Sequence, residues 1–195
     1  EVEIIRGDAL NLLHGASSLW KLEIGNWKLV GNIPYYLTGR LFRVIGELER
    51  KPSRVVFTLQ REVAERLCVH PSLTRGKCGM NLFAAAVQIW AQPKIIKLLK
   101  PSDFKPRPTV NSAVVALETR NVCMTHDALL HYYSFIRKIF KQPRQTIINN
   151  LSRWLKIPKG EIRKRLVEFN LSGDERPQEL SIEMLQRISA MFQSA

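Results

Sequence analysis

Runs of β-branched and apolar residues recur at Val2–Arg6, Lys28–Gly31, Arg54–Leu59, Lys94–Leu99 and Ser112–Glu118, and each reads as a strand. Between the first four, the apolar positions take a helical spacing instead. Thr38 to Glu49 puts Leu41, Phe42, Ile45 and Leu48 on one face, with Thr38 as the expected N-cap and Pro52 beyond the end. Gln60–Val69 and Met80–Ala91 repeat that design. The stretch joining the last two strands has no helical period, only Pro101, Pro106 and Pro108 around Phe104, so those strands are expected to pair antiparallel. An α/β fold follows, with a mostly parallel sheet carrying one antiparallel strand.

After Arg120 the β-branched runs stop. Thr125–Lys141, Arg144–Leu155, Lys159–Phe169 and Ser181–Phe192 all read as helices, which predicts a division into 1–120 and an all-helical domain over 121–195. The chain opens Glu1-Val2-Glu3, and its first residues already read as the middle of a fold, so it is expected to be a fragment.

Charge narrows the partner. Of 195 residues, 30 are Lys or Arg and 17 are Asp or Glu, a net charge of +13 that points to a polyanion, nucleic acid first. Both halves are basic. No apolar run approaches the length of a membrane span. Nothing at the N-terminus reads as a basic-then-apolar leader, and the three cysteines (Cys68, Cys78, Cys123) are odd in number and irregularly spaced, so the expected compartment is a reducing cytoplasm. Cys68, His70 and Cys78 are close in sequence but lack a paired Cys-x-x-Cys, so no metal site is expected; His14, His126 and His131 have no triad partner.

One segment carries chemistry. Leu29-Val30-Gly31-Asn32-Ile33-Pro34-Tyr35-Tyr36 is a strand that stops in a polar turn with Pro and two aromatic rings. In an open α/β sheet, ligands bind at the carboxyl ends of the strands, where such a turn lies. On spacing alone a plain strand end is the better reading, with Asn32 satisfying local backbone groups and the tyrosines packing nearby. Its composition also suits methylation of a nucleobase's exocyclic amine. That nitrogen is a poor nucleophile because its lone pair is delocalised into the ring. A side-chain amide oxygen and a backbone carbonyl aimed at its two hydrogens would localise the lone pair. Pro stiffens the turn and the Tyr ring gives a flipped base a surface to stack on.

This turn, with Gly7-Asp8-Ala9-Leu10 upstream and Phe104-Lys105-Pro106-Arg107-Pro108-Thr109-Val110-Asn111-Ser112 downstream, resembles the rRNA adenine dimethyltransferase family over essentially the whole chain. The resemblance implies a Rossmann-like, S-adenosylmethionine-dependent methyltransferase domain, starting here at its third strand, and a small helical rRNA-binding domain. By resemblance, Asp8 and the backbone of Ala9 hold the cofactor's adenine, Asn32 is shared between cofactor and target amine, Ile33 and Pro34 shape the pocket, Tyr35 stacks on the base and Phe104 closes the other face. Gln60-Arg61-Glu62-Val63-Ala64-Glu65-Arg66-Leu67 resembles the segment that opens a helix after the family's fifth strand. Phe140 to Leu151 and Arg176-Pro177-Gln178-Glu179-Leu180-Ser181 resemble two signatures of the small-subunit branch, rather than of the enzymes that confer macrolide resistance through large-subunit rRNA. Pro143 and Gln145 stand where that branch carries basic residues.

The family's Gly-rich cofactor loop and the acidic residue ending its second strand have no counterpart in these residues. The expectation is therefore half a cofactor site, with S-adenosylmethionine bound weakly or not at all. The implied function is dimethylation of two adjacent adenosines near the 3′ end of small-subunit rRNA, by a monomer acting on an assembling particle. The alternatives are a non-catalytic rRNA-binding assembly factor and a large-subunit rRNA adenine methyltransferase of the macrolide-resistance type. Lys97, Lys100, Lys105 and Arg107 around Phe104, with Arg137, Lys138, Lys141, Arg144, Arg163, Lys164 and Arg165 in the helical part, are the candidate phosphate contacts.

Overall fold

The computed structural model describes residues 4–14, 26–69, 79–121 and 124–193. Four strands form one sheet: β1 (Lys28–Asn32), β2 (Arg54–Gln60), β3 (Ala91–Leu99) and β4 (Ser112–Thr119), in the order β1-β2-β4-β3. β1 and β2 are parallel, whereas β4 runs antiparallel to both β2 and β3. Among the described strands, the sheet thus has the one reversed strand that the proline-rich bridge predicts. Alternation explains the β2–β4 register. Val55, Phe57 and Leu59 stand opposite Leu117, Val115 and Ala113, and all six are at most 1% exposed. Slipping by one residue would turn this whole row away from the core.

Helix α1 (Ala9–His14) precedes β1, and a 3-10 turn (Tyr35–Leu37) leads from β1 into α2 (Thr38–Glu47). Leu41, Phe42 and Ile45 of α2 are buried, and the Phe42 ring meets Phe57 edge-on, 5.6 Å between centroids. Thr38 is not the N-cap. The 3-10 turn runs straight into the helix, so Leu37 takes that position and the Thr38 hydroxyl donates to the Tyr35 carbonyl. The strand expected at Val2–Arg6 does not form over Ile4–Arg6, because these residues have no ladder partner among the described residues, and Ile4 is 93% exposed. Val2 lies outside the described residues, as do His70, Cys78 and Cys123. Ala91, expected to end a helix, opens β3 instead.

The remaining helices are α3 (Arg61–Leu67), α4 (Leu82–Gln88), α5 (His126–Ile139), α6 (Ile147–Leu155), α7 (Lys159–Val167) and α8 (Ile182–Met191). By compactness the chain divides into one unit of residues 1–64 and 90–120, and another of 65–89 and 121–195. Residue 121 is thus a border, and residues 65–89 group with the C-terminal helices. In the second unit, Tyr132, Phe135, Ile136 and Ile139 form the buried stripe of α5 at helical spacing. The Tyr132 hydroxyl donates to the Ala85 carbonyl of α4, and burial raises its pKa well above the ordinary phenol value. Gln88 ties the same helix to the end of α3 and the chain just after it by donating to the carbonyls of Leu67 and Val69. Caps set the helix starts: Asn81 accepts from Ala84 N–H, Thr125 from Ala128 N–H and Ser181 from Met184 N–H. No helix among the described residues is long and apolar enough to cross a membrane.

Candidate active site

The carboxyl ends of β1, β2 and β3 and the start of β4 share one rim of the sheet, as the register requires. Asn32 pairs with Thr58, while Ser112 pairs with Gln60 on one side and Leu99 on the other. Asn32 is the last residue of β1 and its side chain is exposed. Gly31 before it faces the Phe57 ring, whose edge would lie 3.4 Å from an added Cβ, so the strand rests closely on the core just where it turns. Pro34 has φ −56°, and its carbonyl accepts from Leu37 N–H at 2.9 Å. Tyr35 gives its carbonyl to the Thr38 hydroxyl. The carbonyls after Asn32 are therefore engaged in turn, except that of Ile33, which meets no donor among the described residues.

The far end of Tyr35 is also held. Its hydroxyl lies 2.8 Å from the hydroxyl of Ser112, which is fully buried. Sequence reasoning gives Ser112 no role beyond closing the Phe104 segment, since a lone Ser opening a strand carries no pattern. Tyr36, next to Tyr35, is 84% exposed.

Phe104 sits half-buried in the bridge between β3 and β4, at the same rim. A 3-10 turn (Pro101–Asp103) places it. The Asp103 carboxylate accepts from Lys100 N–H at 2.9 Å, and Phe104 N–H donates to the Pro101 carbonyl. Lys97, Lys100, Lys105 and Arg107 are exposed around it and make no ion pair among the described residues. Asp8 caps α1, with one carboxylate oxygen accepting from Leu10 N–H at 2.8 Å and the other meeting no donor among the described residues. Ala9 beside it is exposed, and α1 packs on α2, the helix that follows the Asn32 turn.

In the helical unit the two signature segments are mainly structural. Asn150 is buried and its amide donates to the carbonyls of Gln142, Gln145 and Thr146, folding that turn. The Gln178 carbonyl accepts from Met80 N–H at 2.8 Å. Five of the basic residues here sort into two groups. Arg163 reaches the Ser172 carbonyl and Asp174, and Arg165 pairs with Glu161, so both serve the fold. Arg144, Arg153 and Lys159 instead line a basin of about 590 Å³ beside α6. Arg153 is aimed there by the side-chain carbonyls of Gln142 and Gln145. Among the described residues no group of three His, Cys, Asp or Glu could hold a metal ion.

A family profile described as ribosomal RNA adenine dimethylase matches residues 1–193. A ribosomal RNA small subunit methyltransferase A from Desulfitobacterium hafniense is 31% identical over 188 residues, covering 96% of this chain and 65% of the relative. The protein of that name from Bacillus pumilus is 32% identical over 175 residues, covering 86% and 57%. The chain thus spans less than two thirds of the length of these relatives. A dimethyladenosine transferase from Plasmodium falciparum superposes with a TM-score of 0.74 at 16% identity, over 97% of this chain and 72% of that one. The 23S rRNA methyltransferase ErmE gives 0.67 at 20%, over 96% and 70%. These two establish a shared fold, a Rossmann-like α/β sheet with a helical part. With a profile match running almost end to end, the chain belongs to the ribosomal RNA adenine dimethylase family.

Proposed function

We propose that this chain carries the base-binding and rRNA-binding parts of an S-adenosylmethionine-dependent enzyme that dimethylates two adjacent adenosines near the 3′ end of small-subunit rRNA. The observation that carries this reading is the turn at the rim: an exposed amide at Asn32, an unengaged carbonyl at Ile33 and a ring at Tyr35 pinned at both ends. In this reading the Asn32 side-chain oxygen and the Ile33 carbonyl accept the two hydrogens of the adenine amine. That arrangement draws the lone pair out of conjugation without a strong base. Tyr35 supports one face of the extruded base and Phe104 closes the other. Of the backbone carbonyls in the turn, the hydrogen bonding favours Ile33 for this role, because the Pro34 carbonyl is occupied.

The residues present fit the adenine end of the cofactor. Asp8 keeps one carboxylate oxygen available after capping α1, which suits an amine donor, with the backbone of Ala9 alongside. S-adenosylmethionine supplies an electrophilic methyl group on sulfonium. The chain's own part is to bind its adenine and to hold the target amine through Asn32.

RNA binding is supported by the exposed cations around Phe104 and by the basin of Arg144, Arg153 and Lys159. The proposed setting is an assembling small-subunit particle in the cytoplasm, with the enzyme acting as a monomer. The decisive experiment is Asn32→Ala in the product of the whole reading frame, assayed on small-subunit particles lacking the modification. Methyl transfer should fall by roughly two to three orders of magnitude, the scale for removing one preorganised polar group, while RNA affinity stays within about twofold. Turnover retained in Asn32→Ala refutes the assignment, and an inactive parent that still binds rRNA favours the assembly factor.

A further inference from the structure

We infer that Ser112 is a positioning residue that fixes the Tyr35 ring as the platform for the extruded base. The sheet order makes this contact informative. β1 and β4 are not neighbours, because β2 lies between them, yet Tyr35 follows β1 and Ser112 opens β4. The 2.8 Å hydroxyl pair therefore carries the phenol ring across the end of β2 and joins two points 77 residues apart in sequence.

The anchor is rigid. Ser112 is 0% exposed and is laddered to Gln60 on one side and Leu99 on the other. At its other end the ring is set by the 3-10 turn, through the bonds of the Pro34 and Tyr35 carbonyls. A tyrosine has two side-chain torsions, and fixing backbone and hydroxyl together leaves the ring face one direction. Phenylalanine here would keep the stacking surface and lose the tether. The Ser112 hydroxyl would then be deprived of this partner in a place water does not reach.

This inference rests on the reading of Tyr35 as the stacking ring, so its test separates the two. Ser112→Ala, Tyr35→Phe and the double variant are made in the product of the whole reading frame. Methyl transfer is measured with kcat and KM resolved. Each single variant should lower kcat roughly tenfold through loss of orientation, with KM for the RNA within about twofold because the phosphate-binding side chains are untouched. The double variant should be no slower than either single one. Losses that multiply to roughly a hundredfold in the double variant, or an unchanged kcat in Tyr35→Phe, overturn the tether. Tyr35→Phe alone still decides the matter if Ser112→Ala does not fold.

A binding measurement serves if the parent transfers no methyl group, an outcome that would sink the stacking enzyme but not the tether. Both single variants should weaken binding of an adenine-containing ribo-oligonucleotide by about threefold, equally and without addition, and leave an abasic oligonucleotide of the same length unaffected. Equal weakening for both oligonucleotides assigns Ser112 a purely structural role and overturns the proposal.

Discussion

Removing the carboxylate of Glu175 should loosen the start of α6, and the size of the effect follows from its bonds. One oxygen accepts from Ser172 N–H at 2.9 Å and from the Ser172 hydroxyl at 3.0 Å; the other accepts from Gly173 N–H at 2.9 Å. The loop so tied supplies acceptors to α6, since Ile147 N–H donates to the Glu175 carbonyl at 2.7 Å and Ile148 N–H to the Gly173 carbonyl at 3.2 Å. Hydrogen bonds to a charged group contribute about 1.5–3 kcal/mol each when buried, and this loop is partly solvated, so Glu175→Ala should cost about 2–3 kcal/mol in all. At roughly 2–4 °C per kcal/mol for a chain of this size, Tm should fall by about 4–12 °C. Burial alone would raise the Glu175 pKa, but the bonds from Ser172 and Gly173 outweigh it and hold the carboxyl below its ordinary value. A depressed carboxylate stabilises the fold above its unfolded-state pKa, and that stabilisation is lost as pH falls through the depressed value. Urea unfolding of the parent and of Glu175→Gln, stepped from neutral into acid, should therefore show a stability gap that closes on acidification. A gap that stays constant into strong acid would refute this account.

Three other perturbations follow from the geometry. Gly79→Ala would set a Cβ 2.6 Å from the Gln178 carbonyl oxygen, a backbone atom already bonded to Met80 N–H. The displacement should cost about 1–3 kcal/mol, and an unchanged Tm would show that this stretch gives way freely. Asn81→Ala removes both the cap on Ala84 N–H and the bond to the Arg66 carbonyl, so chemical denaturation should report a loss of about 1–2 kcal/mol. Replacing Arg144 and Lys159 by Gln should lower the slope of log affinity against log salt for rRNA by about 0.7–0.9 for each phosphate that is no longer neutralised, and a slope identical to the parent's would remove the basin from the RNA surface.

Much of this molecule is legible from its hydrophobic pattern, and the exceptions have physical causes. β2 and β4 announce themselves because alternate residues are apolar and pair directly across the ladder. The turn from β3 to β4 is legible because three prolines and no helical period leave only a reversal. The N-terminal Ile4-Ile5 pair looks like a strand by composition, but a strand exists only when another backbone completes its hydrogen bonds. Thr38 has the right chemistry for a cap and the wrong context, since the preceding 3-10 turn already leads into the helix and its hydroxyl turns back to the Tyr35 carbonyl. Asn32, Tyr35 and Phe104 stand out as a motif, whereas Ser112 and Asp103, which hold two of them, do not. Their partners are set by tertiary register in one case and by a local turn in the other, and neither leaves a periodic trace.

Because the backbone leaves the sheet-bearing unit after Ala64 and re-enters it at Trp90, no single cut yields two intact pieces. A product beginning at Asn121 would lack α4, and the Tyr132 phenol would be stripped of its acceptor at Ala85 while still surrounded by apolar neighbours. Such a product should collapse into a sticky, poorly ordered species. Grafting residues 65–89 onto its N-terminus through a short linker is the minimal repair, and soluble expression of that rearranged polypeptide would reveal how independently the helical unit folds.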